Sequence, residues 1–255
     1  ASFKISTTAT PYNVPVNIAA PNPLKTAVTV KLSVDQAALT AYNTANGTSY
    51  TLLPAADYSS TLSVTIPAGQ NLGNVVINLN TTQIDPSQSY VLPLTITDGG
   101  GQQISNYKTI LFNFAVKNIY DGEYTVTGTM NDTVVPTDLG NYPFDIDLIT
   151  AGATSNYMFD TAIGAPGHEI LAPTISYYGS WSPQFTFSGT SVTSVINAYG
   201  QPASNGRSAR LDATGVNTLT GTPGTKGFKI QVSYVLVAAG ADRTFFNETF
   251  TYVGP

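Results

Sequence analysis

The sequence predicts an all-β protein: an N-terminal immunoglobulin-like β-sandwich, then a C-terminal antiparallel β-barrel of calycin-like type, with a second β-sandwich as the competing fold. Three observations predict it. Short runs of period-two alternation recur along the 255 residues, separated by Gly, Pro, Asn and Asp. Only 10% of residues are charged, against roughly 25% in an ordinary globular domain. Thr, Ser, Asn and Gly supply the polarity instead, which suits strands and turns better than the Glu- and Lys-rich faces of long helices. The alternation also breaks once, near residue 118, and restarts on a different pattern.

That break lies in KTILFNFAVKNIYDGEYT, residues 108–125. Ile110, Phe112, Phe114 and Val116 alternate with Leu111, Asn113, Ala115 and Lys117, as in a strand buried on one face. Asn118 to Gly122 read as a turn-like hinge, and a new alternation starts at Tyr124. The expected domains are 1–118 and 119–255.

In the first, residues 12–18 read as an edge strand, with Pro11 and Pro15 limiting its ladder bonds. Residues 26–34 alternate Val28, Val30, Leu32 and Val34 with Thr29, Lys31 and Ser33. Asp35 can cap a short helix with Leu39 and Tyr42 on its buried side and Gly47 at its end. Three further strands, 62–66, 75–79 and 90–96, end at Pro67, at Asp85-Pro86 and at Asp98-Gly99. With 110–116 this gives about six or seven short strands, the pattern of an antiparallel sandwich.

The ordered series Val34-Asp35, Leu39, Tyr42-Asn43, Gly47-Thr48, Tyr50, Leu53-Pro54, Tyr58, Ile66-Pro67-Ala68-Gly69 and Tyr90-Val91-Leu92-Pro93-Leu94 resembles DUF1735. That immunoglobulin-like domain of unknown function opens many surface lipoproteins of Bacteroidetes. The resemblance covers about residues 12–118. It implies a lipid anchor on a Cys upstream of Ala1, an outer-membrane, cell-surface or periplasmic-facing location, and an association with glycan uptake. It carries no catalytic residues over.

The second domain has longer alternations at 124–130, 142–150, 156–161, 169–178, 184–188, 191–199, 208–214, 228–236 and 243–253. About eight or nine strands are enough to close an up-and-down barrel. Gly122-Glu123-Tyr124 and the late Arg243 resemble the calycin pattern, in which Gly-x-Trp opens the first strand and an Arg of the last covers the ring. Tyr124 stands here in place of that Trp.

Net charge is −5, and no Lys or Arg occurs between Lys31 and Lys108 or between Lys117 and Arg207. A nucleic-acid partner is therefore not expected, because phosphate neutralisation needs clustered cations. Cysteine is absent, which removes disulfide and thiolate chemistry. No run approaches 18 apolar residues, so the only membrane link expected is the implied lipid anchor. No Gly-rich phosphate cradle or metal-ligand spacing occurs, and no cofactor or metal is expected.

Asp145 and Asp147 share a strand face, as paired carboxylates for Ca²⁺ or glycoside chemistry would, but two acids alone read as a solvent-facing edge. His168, the single His, follows Gly164-Ala165-Pro166-Gly167 and reads as a loop residue. Glu248 lies on the face of Phe246, Phe250 and Tyr252; if that face is internal, it needs a cationic or hydrogen-bonding partner. Arg207, Arg210 and Asp212 are candidates for the same cluster.

The ligand-binding candidates are Tyr177, Tyr178 and Trp181 in YYGSWSP. Flat rings in a Gly/Ser/Pro turn can stack on sugar faces while nearby amides and carboxylates bond hydroxyls; the same rings can equally plug one end of the core. The leading functional reading is a non-catalytic cell-surface accessory lipoprotein binding a polysaccharide or oligosaccharide in glycan uptake. Its alternatives are a structural or adhesive module with a protein partner, and a barrel enclosing a small apolar ligand against Phe228, Ile230 and Tyr234.

Overall fold

Strand accounts for 52% of the chain and helix for 5%. The computed structural model describes residues 1–255 throughout and divides into two units, Ala1–Val116 and Lys117–Pro255.

The first unit is a two-sheet sandwich. One sheet carries Ser2–Lys4, Thr109–Lys117, Tyr90–Asp98, Val28–Val34 and Ser63–Ile66 in that order, with Thr51–Leu52 parallel to Tyr90–Asp98. The other pairs Thr10–Asn17, Leu72–Leu79 and Tyr58–Ser59. Val14, Val30, Ile66, Ile77, Leu94 and Phe114, from both sheets, meet in its core, as alternate inward residues of facing sheets must. The helix spans Gln36–Asn46, between the expected caps Asp35 and Gly47. Asp35 Oδ1 accepts the Ala38 N–H at 3.0 Å, and Gly47 at φ 63° ends it, since only Gly enters that region without a Cβ clash. Leu39 is buried as expected, whereas Tyr42 is largely exposed, its ring tilted against Tyr50 at 6.2 Å. Leu39 is the one buried residue of the helix.

The second unit is a closed barrel, which decides between the two competing folds. Its strands run Phe144–Gly152, Gly122–Asp132, Ala241–Gly254, Lys229–Ala238, Thr218–Thr220, Ser191–Asn197, Pro183–Ser188 and Ser155–Asp160, and the last pairs back to the first. One position in the ring is split. Thr218–Thr220 pairs with one end of Lys229–Ala238 and Arg207–Leu211 with the other. Between them Ser233 donates to Asn247 Oδ1 at 2.7 Å and takes the Val216 N–H, while its N–H bonds Asn217 Oδ1. The expected single strand 208–214 therefore ends early. The expected strand 169–178 also breaks, into Glu169–Leu171 and Ile175–Tyr177, which join Leu139–Gly140 in a separate three-stranded sheet.

Inward residues fill the barrel. Tyr124 and Val126 face Phe250 and Tyr252, and Phe185, Phe228, Ile230 and Tyr234 pack into the same cluster. The residues proposed to line a ligand cavity are thus packed core, with rings 4.8–5.6 Å apart between Tyr234, Phe246 and Phe185.

Candidate binding site at the capped end of the barrel

One end of the barrel is reached where Gly122–Asp132 finishes and Ala241–Gly254 starts, with Asp132 opposite Thr244. The three-stranded sheet sits at this end: its Ile170 belongs to the barrel core, and Tyr178, just after it, donates to Asp132 Oδ2 at 2.5 Å. Register fixes its outer row. Leu139 pairs with Leu171 and Leu171 with Ile175, while Glu169 pairs with Tyr177. Alternation then leaves Ile170 inward and presents Leu139, Glu169, Leu171, Ile175 and Tyr177 on the other face.

That outer face has two halves. The aliphatic half is open, with Leu139 52% and Ile175 57% exposed. In the polar half, Asn141 donates to Glu169 Oε2 at 2.7 Å and the half-buried Tyr177 donates to Asp160 Oδ2 at 2.7 Å. Burial and the hydrogen bond to Asp160 both push the Tyr177 phenol up, so it stays a neutral donor. Tyr199, 44% exposed, reaches the adjoining loop by donating to the Pro166 carbonyl at 2.8 Å.

The structure separates the three residues singled out in YYGSWSP. Tyr177 lies on the outer face. Tyr178 is 5% and Trp181 1% exposed, so neither offers an open ring to stack on a sugar. Trp181 lies parallel to Phe246 at 5.3 Å, and its indole N–H bonds the Ser208 carbonyl at 3.1 Å. Both rings turn inward because two-sided burial is worth more for a large aromatic than exposure on a turn. Asp132 holds Tyr178, the Thr244 hydroxyl at 3.0 Å and Arg243 at 2.9 Å. Burial raises the Asp132 pKa, but bonds from Tyr178, Val135, Val134 and Thr244 outweigh it and hold the carboxyl below its ordinary value. Arg243 does cover an aromatic ring, that of Tyr178 at 5.1 Å, rather than that of Tyr124. Tyr124 instead donates to the Tyr120 carbonyl at 2.8 Å.

The polar residue whose burial sequence reasoning missed is His168. It does lie in the connection between Ala165–Pro166 and Glu169–Leu171, as expected of a loop residue, yet it is fully buried, with Nε2 2.6 Å from Glu248 Oε1. Glu248 is internal and has its partners. Tyr142 donates to Oε1 and Tyr234 to Oε2, each at 2.5 Å, and both phenols are pushed well up by burial first and the Glu248 charge second. Arg210 is not among them, since it pairs with Asp242 on the surface. Gly128 makes the room: in register with Glu248, it would bring a Cβ within 2.9 Å of the Glu248 Cα. Sealed inside packed rings, the His168–Glu248 couple cannot touch a substrate. Asp145 is exposed and accepts the Thr125 hydroxyl at 2.7 Å, while burial raises the Asp147 pKa opposite Glu123.

Residues 1–103 match a family model described as "-like, N-terminal domain". No curated protein matches the chain. Among solved structures, two Bacteroides ovatus proteins of unknown function share the fold. One is 15% identical with TM-score 0.54, covering 95% of this chain and 84% of its own. The other is 15% identical with TM-score 0.51, covering 99% and 87%. A Bacteroides ovatus multidomain protein including DUF1735 is 16% identical with TM-score 0.49, covering 98% and 88%. The chain is thus similar over its first 103 residues to that N-terminal-domain family, and over nearly its whole length to Bacteroides ovatus proteins of unknown function that share its fold.

Proposed function

We propose that this protein is a non-catalytic accessory protein of the bacterial cell envelope that binds a polysaccharide or oligosaccharide, held to the outer membrane by a lipid anchor upstream of Ala1 and serving glycan uptake. The observation that carries the reading is the polar half of the outer sheet face. There Tyr177 presents a partly open ring beside the Asn141–Glu169 pair, its hydroxyl anchored on the buried Asp160, while exposed Tyr199 bonds the Pro166 carbonyl. A ring face flanked by planar amide and carboxylate groups is the arrangement that grips a sugar by its C–H face and its hydroxyls. In this reading Tyr177 contacts the ligand, while Tyr178 and Trp181 form the packed layer that fixes it. No nucleophile and base stand together on this face, which supports binding rather than turnover.

The test is a glycan-array screen of the whole chain with Tyr177→Ala and Tyr199→Ala variants, each checked for an unchanged melting curve. Loss of an array signal in the variants supports the reading; a signal that both retain, or no signal for any glycan, sinks it. The aliphatic row Leu139–Leu171–Ile175 favours one second reading, an adhesive module that docks a protein through this apolar strip.

A further inference from the structure

The chain has three arginines, Arg207, Arg210 and Arg243, and all three lie at the capped end of the barrel. Two are neutralised. Arg210 forms a two-pronged bond with Asp242 at 2.9 and 2.5 Å, and Arg243 is paired with the buried Asp132. Arg207 has no carboxylate partner.

Its guanidinium is nevertheless held in place. Nη1 donates to the Gly179 carbonyl at 2.6 Å, and the group lies 5.7 Å from the centre of the Tyr178 ring. The backbone around it is fixed from below by Asn197, itself buried, whose Nδ2 donates to the carbonyls of Ser180 at 3.1 Å and of Arg207 at 3.0 Å. Asn205 donates to Gly179 from the side. Ser180 is held at φ 50°, a left-handed conformation that a non-glycine residue adopts only when its surroundings impose it. The surrounding bonds thus aim one guanidinium and leave Nε and Nη2 bonded to no protein atom.

A fixed, half-exposed arginine with a free edge is what binds an oxyanion: the planar fork matches a carboxylate or sulfate with two parallel bonds, and immobilisation beforehand removes much of the entropy cost. Arg207 lies against the inward-turned ring of Tyr178, the sequence neighbour of Tyr177, whose own ring is on the candidate binding face. We propose that Arg207 anchors an anionic group of the bound glycan, so that the ligand class is an acidic saccharide bearing a carboxylate or sulfate. This rests on the carbohydrate-binding reading above. Asp160 and Glu169 do not compete for Arg207, because each is engaged elsewhere on the face, with Tyr177 and with Asn141.

The test is affinity electrophoresis of the whole chain in gels containing polygalacturonate, its fully methyl-esterified form, dextran sulfate or unmodified dextran, at low and raised salt. The expected result is retardation by a charged polymer but not by its neutral counterpart, weakened by salt as an exposed ion pair must be. The polygalacturonate and dextran sulfate arms separate carboxylate from sulfate. Arg207→Lys, which keeps the charge and a donor for Gly179 but loses the fork, should weaken retardation about tenfold, and Arg207→Ala should abolish it. Lys226→Ala, which removes a cation remote from this end, should change little. Retardation equal in charged and neutral gels, or unaffected by Arg207→Lys, overturns the anionic assignment and leaves a neutral glycan binder standing. Binding to no polymer here and to no glycan on the array overturns both.

Discussion

Glu248 ties together three polar side chains inside the second unit. Its two oxygens take three donors, from Tyr142, Tyr234 and His168, inside a shell of aromatic rings. Removing the carboxylate leaves those three groups unpaired in a medium that cannot hydrate them, a loss of about 3–5 kcal/mol. Glu248→Ala should therefore lower the melting temperature sharply, whereas Glu248→Gln, which keeps one acceptor, should cost less; calorimetry of both distinguishes a buried network from bystanders. Asp132 gives a second residue-scale expectation. Its folded pKa lies below its unfolded value, so its contribution is present above the ordinary carboxylate range near 4 and is lost as pH falls through that range. Melting temperature should drop between about pH 5 and pH 2, and Asp132→Asn should flatten that slope while lowering stability at pH 7. If the slope of Asp132→Asn matches wild type, other carboxylates govern the acid limb.

At the scale of elements, the barrel depends on the long pairing of Gly122–Asp132 with Ala241–Gly254. Gly128 sits at its middle, where a Cβ would press on Glu248. Gly128→Ala should separate these strands locally and displace the Glu248 network, costing about 1–3 kcal/mol as overpacking does; hydrogen exchange at residues 126–130 and 246–250 would show the opening. Intact protection there would mean that the strands absorb the methyl. The helix of the first unit offers a milder case. Gly47 has open space around it, so Gly47→Ala meets only backbone strain at φ 63°, roughly 1 kcal/mol. The Tyr177 site is also an element-scale product: the break of 169–178 into two short strands is what turns Glu169 and Tyr177 outward on a sheet of their own.

At the scale of the whole molecule, each unit has its own core, built from Val14 to Val116 in one and from Tyr120 to Tyr252 in the other. A segment of residues 117–255 should therefore fold alone with near-UV dichroism from its packed Trp181, as a domain with a closed core does. A flat near-UV spectrum would show that the barrel needs the preceding residues.

What the sequence determined by itself is whatever depends on local period and punctuation. Alternation at 28–34, 110–116, 228–236 and 243–253 gave strands with the expected inward faces, apart from Ile110 near the start of its strand, which is 45% exposed, and Asp35 and Gly47 bounded the helix, because side-chain direction and capping are set within a few residues. Ring closure was beyond it: strands of equal alternation build a sandwich or a barrel, and only the pairing of Phe144–Gly152 with Ser155–Asp160 joins the ends. The fate of polar residues was likewise decided in three dimensions. Glu248 could be seen to need a partner, yet its partner His168 lies 80 residues away behind a Gly-Ala-Pro-Gly stretch that reads as loop. Trp181 and Tyr178 carry no local sign of which way they turn. Their burial follows from the space the closed barrel leaves at its end, a quantity that exists only once all eight strands are in place.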